Sequence, residues 1–137
     1  MSINLRFTTL CTCILLMMQN ICIAESTHKL FLGESDYINN CADCHGNDGK
    51  GNGPRAKQLS ATPSDLTQLS KQNGDSFPET AVYNIIDGRR VGDFHGQEMP
   101  IWGEHFQDLE SDDSAVEDRI SNLIEYLKSI QVISIKE

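Results

Sequence analysis

The chain has 137 residues, a length that suits one domain, and its 20 Asp and Glu against 11 Lys and Arg give a formal net charge of −9 at pH 7. This acidic balance argues against nucleic acids and anionic membrane surfaces as partners, and it favours a protein with a basic docking face. The alternative interpretation is that the charge serves only to keep the protein soluble.

Residues 1–24 have the pattern of an export signal. One basic residue, Arg6, precedes an apolar run over residues 10–18, and the small residues that a signal peptidase recognises end with Ala24. Because the run is shorter than the roughly 20 residues of a bilayer-spanning helix, we predict cleavage after Ala24, with an uncleaved membrane anchor as the alternative. Residues 25–137 then form one exported domain without a membrane span.

The first predicted element of the exported part is a helix over residues 30–44. Gly33, Tyr37 and Cys41 recur every four residues and therefore lie on one face of this helix. A glycine on that face lets a second helix approach closely. At its C-terminal end the helix runs into residues 41–45, which read Cys-Ala-Asp-Cys-His.

This pentapeptide has the spacing at which two thiols add to the two vinyl groups of a haem and the next imidazole binds the iron. Cys41 and Cys44 lie on one helical turn, and His45 follows on the same turn. We therefore predict Cys41 and Cys44 as the covalent anchors of one haem c and His45 as an axial iron ligand. The remaining cysteines, all within the predicted signal, are Cys11, Cys13 and Cys22.

Two other kinds of site share a Cys-x-x-Cys pair. A structural zinc site needs four ligands, and no cysteine follows Cys44, so further ligands could come only from the scattered His28, His95 and His105. A thioredoxin-like enzyme carries the pair in a longer βαβ-rich chain, normally without a histidine directly after it. The histidine and the residues downstream favour haem.

The rest of the chain predicts an all-α architecture. Residues 46–64 and 88–105 are rich in Gly, Pro, Asn and Asp and predict loops. A short turn or helix is predicted over residues 65–70, and a helix over residues 79–87. Apolar side chains at three- and four-residue steps over residues 116–130 predict the clearest helix, which should pack on the Gly33 and Tyr37 face. We expect three or more short helices and long loops wrapped around one covalent haem.

The only methionine outside the predicted signal is Met99, in the segment Gly-Gln-Glu-Met-Pro-Ile-Trp-Gly. A thioether opposite a histidine stabilises ferrous iron and raises the reduction potential. We predict Met99 as the second axial ligand. His95 and His105 are the competing ligands, and a Met99 that only fills a gap in the core is the remaining alternative.

Over nearly all of residues 30–131 the chain resembles small bacterial class I c-type cytochromes. The resemblance rests on the haem motif together with Met99-Pro100. Supporting residues are Gly33, Tyr37, Gly46, Gly49, Gly51, Gly53, Pro54, Pro63, Asp65, Leu66, Thr67, Ile85, Ile86, Gly88, Trp102, Gly103, Leu123, Tyr126 and Leu127.

The resemblance implies a cytochrome c fold and further roles for individual residues. It implies that Pro54 presents its carbonyl to the His45 imidazole and that Trp102 packs beside a haem propionate. Under the same resemblance Arg89 or Arg90 could pair with a propionate, and the alternative is that the two adjacent arginines are solvated.

These residues predict a periplasmic electron-transfer protein that is not an enzyme, because two protein ligands close the iron to substrate. Its partners would be a redox donor and a redox acceptor, and the chain would be a monomer or a complex subunit. The alternatives are a permanent subunit of a larger redox complex, and an open-site haem enzyme or gas sensor in which Met99 does not bind iron. We expect an acidic rim near the haem edge, formed by Glu98, Glu104, Asp108 and their neighbours. This rim would face a basic patch on the partner.

Overall fold

The computed structural model describes residues 24–89, 99–110 and 112–133. Helices joined by loops make up these ranges, and no strand occurs within them. This confirms the predicted all-α class. Within the same ranges no helix is long and apolar enough to cross a bilayer. Residues 1–23 of the predicted export signal, His95 and Glu98 lie outside the described residues.

Six α-helices make up this part of the chain. Helix α1 covers residues 24–40, and it is followed by α2 (Ala42–His45), α3 (Leu69–Gln72), α4 (Glu79–Asp87), α5 (Trp102–Gln107) and α6 (Asp113–Ser129). Two short 3₁₀ turns lie between α2 and α3, at Ala56–Gln58 and Leu66–Gln68.

The centre of the fold is the contact between α1 and α6. A Cβ on Gly33 would overlap the Asn122 carbonyl oxygen and lie 2.6 Å from its carbon, so the two backbones touch. One turn further along, the ring centroids of Tyr37 and Tyr126 are 5.0 Å apart, and Tyr37 is fully buried. The prediction that the last helix packs on the Gly33 and Tyr37 face is confirmed.

Helix α6 forms where the apolar periodicity predicted it. Asp112 caps its N-terminus by accepting a hydrogen bond from the Ala115 N–H at 3.0 Å. Its apolar stripe is buried in the core and consists of Val116, Ile120, Leu123, Ile124 and Leu127. Burial of this stripe is the main source of stability for a helix with an otherwise acidic surface.

Helix α4 also matches its predicted bounds, and Gly88 ends it with a positive φ of 64°. Helix α5, by contrast, begins inside the segment predicted as loop, residues 88–105, so that prediction was wrong from Trp102 onward. It forms because Phe106 is fully buried and because Gly103 packs on Asp87 with no room for a Cβ. Tertiary packing of this kind outweighs weak local propensity in a helix of six residues.

A charged cluster joins α1 to α6 and to the segment before it. Arg119 binds Asp36 through two hydrogen bonds, of 2.6 and 3.0 Å, and Glu110 through a third of 3.0 Å. Its guanidinium carbon lies 4.5 Å from the Phe106 ring centroid. The hydrogen bonds to Asp36 and Glu110 raise the pKa of Arg119, so the guanidinium is charged at all physiological pH values.

Candidate functional site

A cavity of about 330 Å³ opens among the helices and is bounded by the segment from Leu59 to Leu69. Its volume is within the range of small-molecule and cofactor sites. Among the described residues that line it, none is an Asp, Glu, Lys or Arg, although the chain as a whole is acidic. Its wall is mainly apolar, and its branched aliphatic side chains are those of Leu59, Leu66, Leu69, Val82, Ile85, Ile86, Leu123 and Leu127.

Cys41 and Cys44 reach this cavity from the junction of α1 and α2. The Cys41 N–H donates to the Tyr37 carbonyl at 2.9 Å, and the His45 N–H donates to the Cys41 carbonyl at 2.9 Å, so all three motif side chains leave one tight turn. Both cysteines are free thiols that line the cavity wall. The geometry leaves both sulfurs able to bond to one ligand.

The raised pKa of the Cys41 thiol disfavours a dithiol redox enzyme. Burial, with smaller contributions from the nearby Asp36 and Cys44, raises the pKa of the Cys41 thiol to about 12. The attacking cysteine of a thioredoxin-like site has a lowered pKa instead. In the described part of the chain no group of three or more His, Cys, Asp or Glu side chains is arranged to hold a metal ion.

His45 is held in one tautomer by a carbonyl oxygen. Its Nδ1 lies 3.0 Å from the Ser64 carbonyl, and since a carbonyl can only accept, Nδ1 carries the proton and donates. Burial lowers the pKa of His45, while the Ser64 hydrogen bond acts in the opposite direction. A neutral imidazole with a protonated Nδ1 has its Nε2 lone pair available to a metal.

The partner of His45 is therefore not the carbonyl of Pro54, and that expectation was wrong. The Gly53 N–H donates to the Cys44 carbonyl and the Arg55 N–H to the Asp43 carbonyl, at 3.1 and 2.9 Å, which keeps the exposed Pro54 beside the backbone of α2. The carbonyl that contacts the His45 imidazole is that of Ser64, ten residues after Pro54.

Glycines allow the segment that contains Ser64 to approach the haem motif. Gly51 has a φ of 74°, and a Cβ on it would overlap the Pro63 carbonyl oxygen. Two residues earlier, the Gly49 carbonyl accepts a hydrogen bond from the Leu66 N–H at 2.7 Å. An L side chain at position 51 would be strained by its backbone angle and would also push the segment away.

Met99 lines the same cavity as His45, together with Pro100 and Trp102. The Trp102 ring packs on Phe106, with centroids 5.9 Å apart, and meets the edge of His105 at 5.5 Å. His105 is exposed and is not among the residues that line the cavity. Of the predicted site residues, the structure thus brings together Cys41, Cys44, His45, Met99 and Trp102.

The guanidinium of Arg89 binds two carboxylates of the protein itself. Its Nε donates to Asp87 at 2.6 Å and its Nη1 to Asp113 at 2.9 Å. Burial opposes the charge of Arg89, but the bonds to Asp87 and Asp113 outweigh it and raise the pKa. The side chain is absent from the cavity wall, so the expected pairing of Arg89 with a propionate has no support; Arg90 lies outside the described residues.

Comparison with known protein families gives one match, to the family model described as "Cytochrome c", over residues 32–131. The matched range contains all the described residues that line the cavity. No curated protein and no solved structure matches the chain.

Proposed function

The chain belongs to the cytochrome c family, which carries covalently bound haem c, and on that premise we propose a periplasmic one-electron carrier with His45 and Met99 as its axial ligands. The observation that carries the proposal is the meeting of two thiols, one imidazole and one thioether on the wall of a single uncharged cavity. The apolar wall suits a porphyrin, and the four side chains are the ones that attach and ligate a c-type haem.

Each of these residues would have a separate task. Cys41 and Cys44 would hold the porphyrin through two thioether bonds, and His45 would bind iron through Nε2. Met99 would bind as a soft second ligand that favours the ferrous state. The haem, when bound, supplies the change between ferric and ferrous iron, and the surrounding protein excludes water from it and keeps its ligands fixed.

With His45 and Met99 both bound to it, the iron would have no free position, and a substrate would not bind there. The place of Met99 on the cavity wall supports a carrier over an open-site enzyme or gas sensor, both of which would need Met99 off the iron. A permanent subunit of a larger redox complex has the same cavity and the same ligands. Size-exclusion chromatography of native extract separates the free carrier from the subunit.

The partner would meet the protein near the exposed haem edge, where electron transfer is fastest. Since the described cavity wall has no charge, steering of the partner must come from charges outside it. Glu104, in the first turn of α5, and Asp108, directly after its last residue, are exposed and belong to the predicted acidic rim. We propose a basic docking face on the partner and export by residues 1–24.

The test of covalent attachment is haem staining on a denaturing gel after expression with a haem-attachment system. Cys41→Ala combined with Cys44→Ala should abolish the stain. Asp43→Ala, an exposed change between the two cysteines, is the matched control and should keep it. A double variant that stains as strongly as wild type would refute the proposal.

A further inference from the structure

The side chain of Gln131, two residues beyond α6, makes three hydrogen bonds to backbone. Its Oε1 accepts from the Ser70 N–H at 2.9 Å, and its Nε2 donates to the carbonyls of Leu66 and Leu127, both at 2.7 Å. Beside it, the Val132 N–H donates to the Thr67 carbonyl at 2.9 Å. The end of α6 is thus joined to a segment more than 60 residues earlier in the chain.

The joined segment is the wall of the haem cavity that supports His45. Leu66 and Leu69 line the cavity, and Ser64, two residues before Leu66, accepts the Nδ1 hydrogen bond of His45. Asp65 stabilises the turn between Ser64 and Thr67, since its Oδ1 accepts hydrogen bonds from the N–H and the hydroxyl of Thr67 at 2.9 and 2.6 Å.

This segment is bound on two sides. The Gly49 carbonyl accepts from the Leu66 N–H on the side of the haem motif, and Gln131 binds Leu66 and Ser70 on the side of α6. A glutamine suits the second position because its amide supplies an acceptor for one N–H and two donors for two carbonyls. A carboxylate in its place would keep the acceptor and repel both carbonyl oxygens.

We propose that Gln131 is a positioning residue that holds the Ser64 carbonyl on the His45 imidazole and thereby sets the reduction potential of the haem. The inference rests on the proposed function, in which His45 binds the iron. A hydrogen bond from Nδ1 makes the imidazole a stronger electron donor, and this favours ferric iron. Loss of the Gln131 bonds should lengthen that hydrogen bond and raise the potential.

The experiment compares the haem-loaded wild type with Gln131→Ala and with the isosteric Gln131→Glu. Gln72→Ala, an exposed change at the end of α3, is the matched control. The readouts are a redox titration and the exchange rate of the His45 Nδ1 proton, followed by NMR in the ferrous form. Both Gln131 variants should show proton exchange faster by a factor on the order of ten, and Gln131→Ala, which adds no charge, should also show a higher potential. The control should match wild type.

Two results would overturn the proposal in distinguishable ways. If a Gln131 variant loads haem and unfolds more easily but keeps the wild-type potential and exchange rate, Gln131 only stabilises the fold. If Gln131→Ala does not fold, the exchange rate of the His45 Nδ1 proton in Gln131→Glu decides. A wild-type chain that acquires no covalent haem would instead refute the proposed function, and this inference with it.

Discussion

Gly33 of α1 lies directly on the Asn122 backbone of α6, and the contact leaves no space for a Cβ. The fold therefore depends on a hydrogen atom at this position, because any side chain would separate the two helices that close the core. Tyr37 and Tyr126, which meet at 5.0 Å one turn away, would lose their contact at the same time.

Gly33→Ala should lower the free energy of unfolding. Alanine favours a helix by up to about 1 kcal/mol relative to glycine, but overlap with backbone costs more, so we expect a net loss of about 1–3 kcal/mol. Urea unfolding of the haem-loaded protein measures the difference. Ser35→Ala, an exposed change on the same helix, should stay within about 0.5 kcal/mol of wild type. An unchanged or raised stability for Gly33→Ala would contradict the described crossing.

Arg119→Met should also destabilise the protein, through the carboxylates that it leaves behind. Asp36 and Arg119 are 14% and 23% exposed at their side chains, so solvent replaces the lost partner poorly. We expect a loss of about 2–4 kcal/mol, somewhat less than for a fully buried ion pair. Asp36→Asn in the same chain should recover part of this loss, and a double-mutant cycle measures the coupling. Additive losses would show that the two side chains act independently.

Met99→Ala should lower the reduction potential, because the ligand that favours ferrous iron is removed. The ferric optical spectrum should change to that of a high-spin iron, or of an iron that has bound water or a histidine. His105→Ala is the matched control and should leave both the potential and the spectrum unchanged, since His105 is exposed beside Trp102. The reverse result would assign the sixth position to His105.

Electron exchange with a basic redox partner should slow as salt is added. The Debye length falls from about 30 Å at 0.01 M to about 8 Å at 0.15 M, and we expect the second-order rate to fall by a factor on the order of ten. Glu104→Gln with Asp108→Asn should lower the rate at low salt and flatten its salt dependence, with the optical spectrum unchanged. Glu25→Gln with Asp118→Asn removes the same total charge and should have a smaller effect. A rate that is indifferent to salt would assign the acidity to solubility alone.

Several features of this protein could be predicted because their cause is local in the chain. The spacing of Cys41, Cys44 and His45 follows from one helical turn, and the bounds of α4 follow from apolar periodicity and Gly88. The place of Gly33 in the helix crossing could be inferred from its four-residue spacing to Tyr37. Helix α5 could not, because it is short and owes its formation to the burial of Phe106 against distant helices.

The sequence by itself was enough to predict which side chains attach and ligate a haem, since that prediction depends on residue types and short spacings. Only the tertiary structure decided which backbone atom supports His45. Ser64 lies 19 residues from His45 in the sequence. The path of a glycine-rich loop brings the carbonyl of Ser64 to the imidazole, and not that of the nearer Pro54. The same holds for Arg89, whose guanidinium binds carboxylates of α4 and α6. It holds also for Gln131, two of whose three partners, Leu66 and Ser70, come near it only through folding. Contacts between distant segments depend on the path of the whole chain, and no local pattern specifies that path.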